Sequence, residues 1–408
     1  AYAGGDGTEE SPYLISTAEQ LSKLLDTVLS NPSETAGKYY KLTQDILLND
    51  TSAENWEETA NQWYTSGASS SCFQGHFDGD GHVVKGLYVN QSVISGNFYA
   101  GLFPAVKYGS TIKNVGLSQS HINISSEKGE AFAGGIVAYV HLWADEDEVP
   151  ASDYPVIEGC FGDTTVTIES QFSGGILCGA PRQFTIRNCY FVGTLKAYGD
   201  RAGGIVGNAW ITQSGSTVTN CYAATTNEDS AAGVNNPAIS YSNTYSTAGS
   251  INGIFALSLN SMRGDLALER MKGFDFDQVW KALDNGTPVL RKFNSDDYTN
   301  TNSGRKVKIS FVSNGGTELD PIYGDEGETI VWPEISRYGY EFEGWYVYQE
   351  LDVRFNYDVF PMFDITLYAN WTKTGIEQGF ESYSHNNEDG MGSDYQYFRP
   401  GVLNYSAD

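Results

Sequence analysis

Two short signals alternate along this chain, and their recurrence constrains the fold more than any other feature. The first is a glycine-rich turn followed by an aliphatic residue, at 100–103, 134–137, 174–177, 203–206 and 253–255. The second pairs asparagine or glycine with a small residue and follows each copy of the first, at 112–115, 157–160, 186–189, 218–221 and, more weakly, 242–244. A period of about 20–50 residues is the signature of a solenoid, in which neighbouring repeats stack on one another.

Two adjacent positions of the second signal indicate how each repeat is built. The first position is asparagine in four copies and Gly159 in another, and both residue types tolerate positive φ, so we predict a corner between strands there. The next position holds small apolar residues, namely Val115, Cys160, Cys189 and Cys221. Stacking would place them in one interior column with a spacing of about 4.8 Å. We therefore interpret these cysteines as core packing rather than as metal ligands or catalytic groups.

The open ends of a solenoid need caps, and the sequence offers one at each end. Ser16-Thr17-Ala18-Glu19 is typical of a capping box. Apolar residues at helical spacing follow it, namely Leu21, Leu24, Leu25, Val28 and Leu29. We predict an amphipathic helix over the first coil. The segment from Leu259 to Leu283, closed by Pro288-Val289-Leu290, is predicted to cap the opposite end.

These signals, taken in order, resemble the GLUG-motif proteins of bacterial surfaces over about residues 4–293. The resemblance rests on the opening Gly5-Asp6-Gly7-Thr8, on 77–87, on the Gly-Gly-Ile and Asn-Cys-Tyr repeats, and on 280–290. It implies an all-β fold, a right-handed parallel β-helix with helical caps, and a secreted or wall-attached adhesin or an appendage of a larger enzyme. The acidic insertion at 145–153 and the irregular last coil after Thr225 depart from the family pattern.

A second resemblance follows a polar linker at 294–305. Residues 306–373 carry an Asn-Gly-Gly turn, Gly-Tyr-x-Phe-x-Gly-Trp and Leu-Tyr-Ala-x-Trp, and they resemble the Listeria–Bacteroides repeat. That resemblance implies a small β-grasp-like domain of surface proteins, used as a spacer or receptor contact and without chemistry of its own. Residues 374–408 fit neither pattern and are predicted to be a tail or the start of a further, incomplete module.

Charge and hydropathy narrow the set of partners. The formal net charge of −27 argues against nucleic acid and anionic membranes. No apolar run approaches the ~20 residues that cross a bilayer, so we expect no membrane insertion within this chain. The chain opens without a charged and apolar leader, and we expect that a signal peptide has been removed. A secreted or cell-surface location is predicted.

Catalytic and cofactor motifs are sparse in the sequence. It contains no His-Glu-x-x-His, no Gly-x-Ser-x-Gly, no phosphate-binding loop and no Cys/His spacing of a zinc site. His76 and His82 flank Asp78-Gly79-Asp80-Gly81, but the spacing of a calcium loop is not met, and a hairpin turn explains the stretch. We predict no catalytic residues, no metal and no cofactor.

Binding candidates lie on insertions, where solenoids commonly carry function. Trp143 and Trp210 occupy comparable positions two repeats apart and are candidates for an aromatic platform under a sugar ring. The acidic run Asp145, Glu146, Asp147 and Glu148 follows Trp143. The alternatives are a solvated acidic loop and tryptophans that pack partly against neighbouring loops. Arg263-Gly264-Asp265 resembles an integrin-binding tripeptide, but it falls in a predicted cap and is interpreted as chance.

Three functional hypotheses remain from the sequence. The favoured one is a non-enzymatic bacterial adhesin or ligand-displaying module that binds a host or microbial glycan or protein. The second is a carbohydrate-active β-helix enzyme, a lyase or glycosidase, which requires converging carboxylates. The third is a purely structural stalk of a larger surface protein.

Overall fold

The computed structural model describes residues 1–64, 68–141, 149–198, 201–225, 236–248, 253–284, 286–293, 307–324, 327–361 and 364–374. Within these ranges the protein is predominantly β. Its α-helices are α1 (Ala18–Ser30) and α2 (Gly264–Arg270). Short 3₁₀ helices occur at Pro32–Thr35, Trp56–Thr59, Ala151–Asp153 and Leu259–Met262.

The strands are short and follow one another closely along the chain. The first twelve are β1 (Tyr13–Ile15), β2 (Tyr39–Leu42), β3 (Ile46–Leu47), β4 (Cys72–Phe73), β5 (His76–Lys85), β6 (Tyr88–Val93), β7 (Phe98–Ala100), β8 (Ala105–Val106), β9 (Thr111–Ser118), β10 (Ser120–Ser126), β11 (Ala131–Gly134) and β12 (Val137–Tyr139). The next twelve are β13 (Val156–Glu158), β14 (Phe161–Gly162), β15 (Val166–Ser170), β16 (Phe172–Gly174), β17 (Leu177–Ala180), β18 (Thr185–Arg187), β19 (Tyr190–Phe191), β20 (Thr194–Ala197), β21 (Ala202–Gly203), β22 (Val206–Ala209), β23 (Ser216–Thr219) and β24 (Tyr222–Ala223). The remainder are β25 (Ile239–Ser242), β26 (Thr244–Ser246), β27 (Ile254–Ala256), β28 (Trp280–Leu283), β29 (Gly286–Leu290), β30 (Val307–Val312), β31 (Ile322–Gly324), β32 (Tyr340–Tyr346) and β33 (Ile365–Lys373).

Successive repeats add parallel strands to the same set of sheets. One sheet runs β6, β10, β15, β20, a second runs β7, β11, β16, β21, and a third runs β12, β17, β22. A longer sheet stacks β9, β13, β18, β23 and β25. The register is constant, since Val89, Ile122, Ile168 and Leu195 are paired in turn. The chain thus visits the sheets in the same order in each repeat, which confirms the predicted all-β, parallel architecture.

The predicted corner has the backbone conformation that its residues indicate. Positive φ values of 45–62° occur at the five aligned positions Asn114, Gly159, Asn188, Asn220 and Asn243. The side chains also connect neighbouring repeats, because Asn243 Nδ2 donates to Asn220 Oδ1 at 3.1 Å and Asn114 Nδ2 donates to Asp78 Oδ1 at 3.0 Å. The corner prediction is confirmed.

The residue after each corner points into the core. Val115, Cys160, Cys189 and Cys221 are fully buried. The amide of Cys160 donates to Cys189 Sγ, and the amide of Cys189 donates to Cys221 Sγ, both at 3.4 Å. All five cysteines are free and buried, and the interpretation of Cys160, Cys189 and Cys221 as a core column is confirmed.

Helix α1 lies where the sequence predicts it and buries Leu21, Leu24, Leu25 and Val28 in the main core. Its N-cap is Thr17, whose hydroxyl accepts from the amide of Gln20 at 3.3 Å. Gln20 Oε1 in turn accepts from the amide of Ser16 at 2.7 Å. The predicted box of Ser16 and Glu19 was therefore wrong by one residue, because the Ser16 hydroxyl bonds Thr43 Oγ1 instead.

The second predicted cap was wrong. Residues 259–290 bury most of their apolar side chains, though not Leu266 and Leu268, in a cluster distinct from the main core. That cluster includes the residues after the three column cysteines, Phe161, Tyr190 and Tyr222, and also Tyr245, which follows Thr244 and pairs with Tyr222. Alternate strand residues point to opposite faces, so these rings face outward when the cysteines face inward. The segment covers this flank rather than an end, because the stacked rings would otherwise be exposed to water.

The strands after residue 306 form their own sheet, in the order β31, β30, β33, β32. β32 and β33 are antiparallel, with Phe342 opposite Trp371, and Asn314 and Gly315 have positive φ at the predicted turn. Residue contacts divide the chain into two compact units: 1–308, 323–330 and 357–365 in one, and 309–322, 331–356 and the strand residues 366–373 in the other. The predicted linker 294–305 and residues 375–408 lie outside the described residues.

Candidate functional site: a cavity beside Trp210

The structure describes one of the six residues predicted to bind a ligand. Trp143 and the acidic run Asp145, Glu146, Asp147 and Glu148 lie outside the described residues. Trp210 is described and follows β22, where its amide donates to the carbonyl of Ala180 at 3.1 Å. We therefore build the candidate site outward from Trp210.

The indole of Trp210 is packed on one side and open on the other. Its ring centroid lies 5.6 Å from that of Phe132 and 5.8 Å from that of Tyr139. The residue nevertheless keeps 41% of its surface exposed. Trp210 therefore packs partly against its neighbours, as the alternative to an aromatic platform predicted. The same packing holds the exposed face of the indole in a defined position beside solvent.

The support beneath Trp210 is a column of outward-facing rings. Tyr99 and Phe132 stack with centroids 5.1 Å apart and planes 5° apart, and Phe132 stacks on Phe172 at 4.9 Å. Their strands β7, β11 and β16 are paired in register. Burial and the neighbouring Tyr99 raise the pKa of Tyr139, which also packs here. The rings thus form a neutral, rigid base.

Arg201 takes the next place in this column. It precedes Ala202, which pairs with Ser173, as Phe172 precedes Ser173. Its guanidinium carbon lies 5.6 Å from the centroid of the Phe172 ring. The sequence signal for this column was overlooked: the residue two positions before the first glycine of the repeat is Tyr99, Phe132, Phe172 and then Arg201.

A cavity of about 710 Å³ opens beside Trp210, a size common for small-ligand sites. Its lining combines aromatic, amide and hydroxyl groups with one cation, namely Arg201, Asn208, Ala209, Trp210, Ile211, Thr212, Ser214, Asn236, Pro237 and Ala238. Asn236 Nδ2 donates to the carbonyls of Ala209 and Ile211 at 2.9 and 3.0 Å. Asn236 thereby binds the chain at the end of β22 and holds one wall of the cavity.

The described lining of this cavity provides groups that can contact and hydrogen-bond a ligand. The described lining residues offer an aromatic face, hydrogen-bonding groups and the charge of Arg201. They include no carboxylate, histidine, cysteine or lysine. Glycoside hydrolysis by the usual route needs two carboxyl groups across the scissile bond.

The histidine-flanked stretch is not the predicted hairpin turn, because it lies within β5, which bends at Asp80 and Gly81 and pairs in parallel with β9 on both sides of the bend. Asp80 lies 2.9 Å from Lys41 Nζ and 2.7 Å from Lys292 Nζ. Burial acts to raise the pKa of Asp80, but the hydrogen bonds from Lys292 and Lys41 outweigh it, and the pKa is lowered. Asp78 accepts from the Asn114 amide. These carboxylates are engaged by the protein's own donors.

The Arg263-Gly264-Asp265 tripeptide is not presented at a loop tip. Arg263 is 8% exposed and precedes α2, and Asp265 lies in the first turn of that helix. A ligand tripeptide would need both charged side chains accessible, so the interpretation of this match as chance agrees with its burial.

One carboxylate that the sequence reasoning overlooked lies inside the stack. Asp163 is 2% exposed and accepts from the hydroxyl of Ser118 at 2.5 Å and from the amide of Thr165 at 2.9 Å. Burial raises the pKa of Asp163, against these hydrogen bonds and the charge of Lys85. Its donors lie in two successive repeats, so Asp163 links the repeats rather than facing a ligand.

Comparison with known proteins identifies part of the chain. A Listeria–Bacteroides repeat domain is found at residues 308–370. This confirms the predicted repeat domain.

Two known proteins resemble limited stretches of this chain. A protein of Evansella cellulosilytica, provisionally named a Gly-rich membrane protein, is 33% identical over 138 residues, which is 33% of this chain and 14% of that protein. Halomucin of Haloquadratum walsbyi is 28% identical over 127 residues, which is 31% of this chain and 1% of that protein. The alignments therefore span small parts of these relatives.

A solved structure from Bacteroides ovatus, provisionally assigned as an immunoglobulin A1 protease, aligns with 72% of this chain and 96% of its own. The sequence identity is 18% and the TM-score is 0.44. Among the described residues, no helix is long and apolar enough to cross a membrane.

Proposed function

We propose that this protein is a non-enzymatic recognition module of a bacterial cell surface that binds a glycan in the cavity beside Trp210. The observation that carries the proposal is the half-exposed indole, which is fixed by Phe132 and Tyr139 at the rim of a cavity with polar groups. Sugar rings present apolar faces and hydroxyl edges. A rigid aromatic surface beside amides and hydroxyls is complementary to both.

The scaffold of this proposal is a right-handed parallel β-helix of GLUG-type repeats. The constant order in which the chain visits its parallel sheets supports a coiled path. Parallel strand connections within a sheet are right-handed in nearly all proteins. Coils of this kind hold the loops between strands in rows, where insertions can act together.

A secreted or cell-surface location, and an adhesin role, belong to the same proposal. The Listeria–Bacteroides repeat, for which we propose a β-grasp-like fold, would act as a spacer or a second contact. The net charge of −27 disfavours nucleic acid as a partner. A host or microbial surface glycan is the proposed ligand, and Trp143 with residues 145–148 remains a predicted extension of the site.

The proposal of binding without catalysis is supported by the cavity's lining, whose described residues include no acid or base for hydrolysis or elimination. Incubation of the protein with the bound glycan, followed by analysis of product length, tests this directly. Shortened or unsaturated products would favour a carbohydrate-active enzyme.

Replacement of Trp210 tests the site. We expect Trp210→Leu to lower affinity for the glycan at least tenfold, because it keeps apolar contact with Phe132 but removes the aromatic face; tenfold corresponds to about 1.4 kcal/mol. A glycan array identifies the ligand, and titration calorimetry measures the dissociation constants. Tyr338→Leu, at an 85% exposed aromatic in the second unit, is the matched control. Equal affinity of Trp210→Leu and the unaltered protein would contradict the proposal.

A further inference from the structure

We infer that the glycan bound beside Trp210 carries a carboxylate, as uronic and sialic acids do, and that Arg201 binds that group. The inference rests on the proposed function and adds the chemical class of the ligand. It follows from where Arg201 lies, what holds it, and which charges surround it.

Arg201 is anchored at the top of the ring column. The amide of Ser173 donates to the carbonyl of Arg201 at 3.2 Å, which fixes its backbone. The guanidinium carbon lies 5.6 Å from the centroid of the Phe172 ring. An aromatic ring stabilises a guanidinium through its π face and leaves the N–H groups of the guanidinium free to donate. A carboxylate is the group that accepts two such bonds side by side.

The described lining of the cavity favours an anionic substituent at Arg201, within a protein whose formal net charge is −27. Other cations among the described residues have carboxylate partners: Arg187 lies 2.9 Å from Glu158, and Lys196 lies 3.7 Å from Glu169. Within the described part of the chain, Arg201 has no salt bridge. It is also the only charged residue among the described residues that line the cavity.

Two groups of complementary chemistry therefore flank one cavity. Trp210 offers an apolar face to the ring of a sugar. Arg201 offers a charged guanidinium, with side-by-side N–H donors, to a substituent on that ring. Arg201 is exposed, so it can form this contact without breaking an interaction seen among the described residues. Arg201 would thus determine specificity, whereas Trp210 would supply affinity for saccharides in general.

The experiment compares paired glycans that differ in one group. Oligogalacturonate, a hyaluronan hexasaccharide and sialyllactose are each printed beside their carboxyl-reduced counterparts, and binding of the full chain is measured to every member. We expect at least a tenfold preference for one or more acidic members over the reduced partner. Arg201→Gln should abolish that preference, and 0.5 M salt should reduce it because charge interactions are screened.

Control variants separate charge from structure. Arg201→Lys keeps the charge but loses the planar fork, so an intermediate preference is expected. Arg187→Gln removes the same charge from β18 and should leave the preference unchanged. Equal thermal unfolding midpoints of the variants would show that the exposed side chain at 201 acts on binding alone.

The outcomes distinguish this inference from the proposed function. If reduced glycans bind as well as acidic ones, or if Arg201→Gln keeps the preference, the inference is wrong. If the glycans bind without that preference and bind Trp210→Leu more weakly than the unaltered protein, the proposed glycan site is retained. If no member binds, or if Trp210→Leu changes nothing, both proposals are overturned.

Discussion

At the residue scale, the corner of each repeat shows how one backbone angle selects a residue type. Asn188 has φ of 51°, a conformation that costs a residue with a Cβ roughly 1–2 kcal/mol and that asparagine and glycine adopt most readily. We expect Asn188→Ala to lower the free energy of unfolding by about 1 kcal/mol, and Asn188→Gly to change it by less than about 0.5 kcal/mol. Urea denaturation monitored by tryptophan fluorescence measures both.

The control for this prediction is Thr219→Ala, at a half-buried strand position immediately before a corner, where alanine meets no special backbone requirement. If Asn188→Gly were as destabilising as Asn188→Ala, the side chain of Asn188 rather than its φ angle would be responsible. The physical account of the corner would then be wrong.

At the element scale, residues 257–293 act as a cover for a flank of aromatic rings. Trp280 is fully buried, with its ring centroid 4.5 Å from that of Phe274 and 5.8 Å from that of Tyr222. Tyr222 also bonds the carbonyl of Pro288 through its hydroxyl at 2.6 Å. The hairpin of β28 and β29 is therefore attached to the outward-facing rings both by ring packing and by a buried hydrogen bond.

We predict that Trp280→Ala lowers the free energy of unfolding by roughly 3–5 kcal/mol, the usual cost of truncating a buried aromatic residue. The released segment should also be cut faster by trypsin, at Arg270, Lys272 or Lys281. Timed digestion with mass spectrometry identifies the sites.

Two variants calibrate that result. Trp280→Phe keeps a ring and removes an indole N–H that has no partner among the described residues, so a smaller loss is expected. Leu268→Ala, at a half-exposed position of α2, should change stability by less than about 0.5 kcal/mol. Unaltered digestion of Trp280→Ala would contradict the role of this segment as a flank cover.

At the scale of the whole molecule, the reactivity of the cysteines measures whether the repeats remain packed on one another. They lie in several repeats and all are buried. Burial raises the pKa of Cys72, Cys160, Cys178 and Cys189, so these thiols remain protonated at pH 8, and the protonated thiol is a poor nucleophile.

We therefore predict that no thiol reacts with Ellman's reagent in the folded protein at pH 8 within minutes, and that five react in guanidinium chloride. Absorbance at the thiolate product's wavelength gives the count. A protein with Val115→Cys should add a sixth thiol that is equally protected, since Val115 is a fully buried member of the same column. Fast reaction of any native thiol would contradict the prediction that all five buried cysteines are protected in the folded protein.

The predictability of the fold follows from where its physical causes lie. Local backbone preference and periodic burial determine the corner asparagines, the cysteine column and helix α1. Both causes can be recognised in the amino-acid sequence alone. The outward-facing rings were also recognisable in the sequence, as an aromatic residue after each cysteine of the core column, namely Phe161, Tyr190 and Tyr222. The segment that covers them, however, begins about 35 residues after Tyr222. For that reason the segment was predicted to cap an end.

The candidate site shows the same division. The sequence indicated Trp210, because an aromatic residue beside a repeat is visible by alignment. Arg201 was missed because it is the one non-aromatic residue in the column that Tyr99, Phe132 and Phe172 form. Repeat spacing, corner conformation and core composition were determined by the sequence itself, since each is a property of residues a few positions apart. The placement of Trp210 and Arg201 at one cavity was decided only by tertiary structure, because it depends on how the chain turns between β21 and β22 and on the packing of Trp210 against Phe132 and Tyr139 of an earlier repeat.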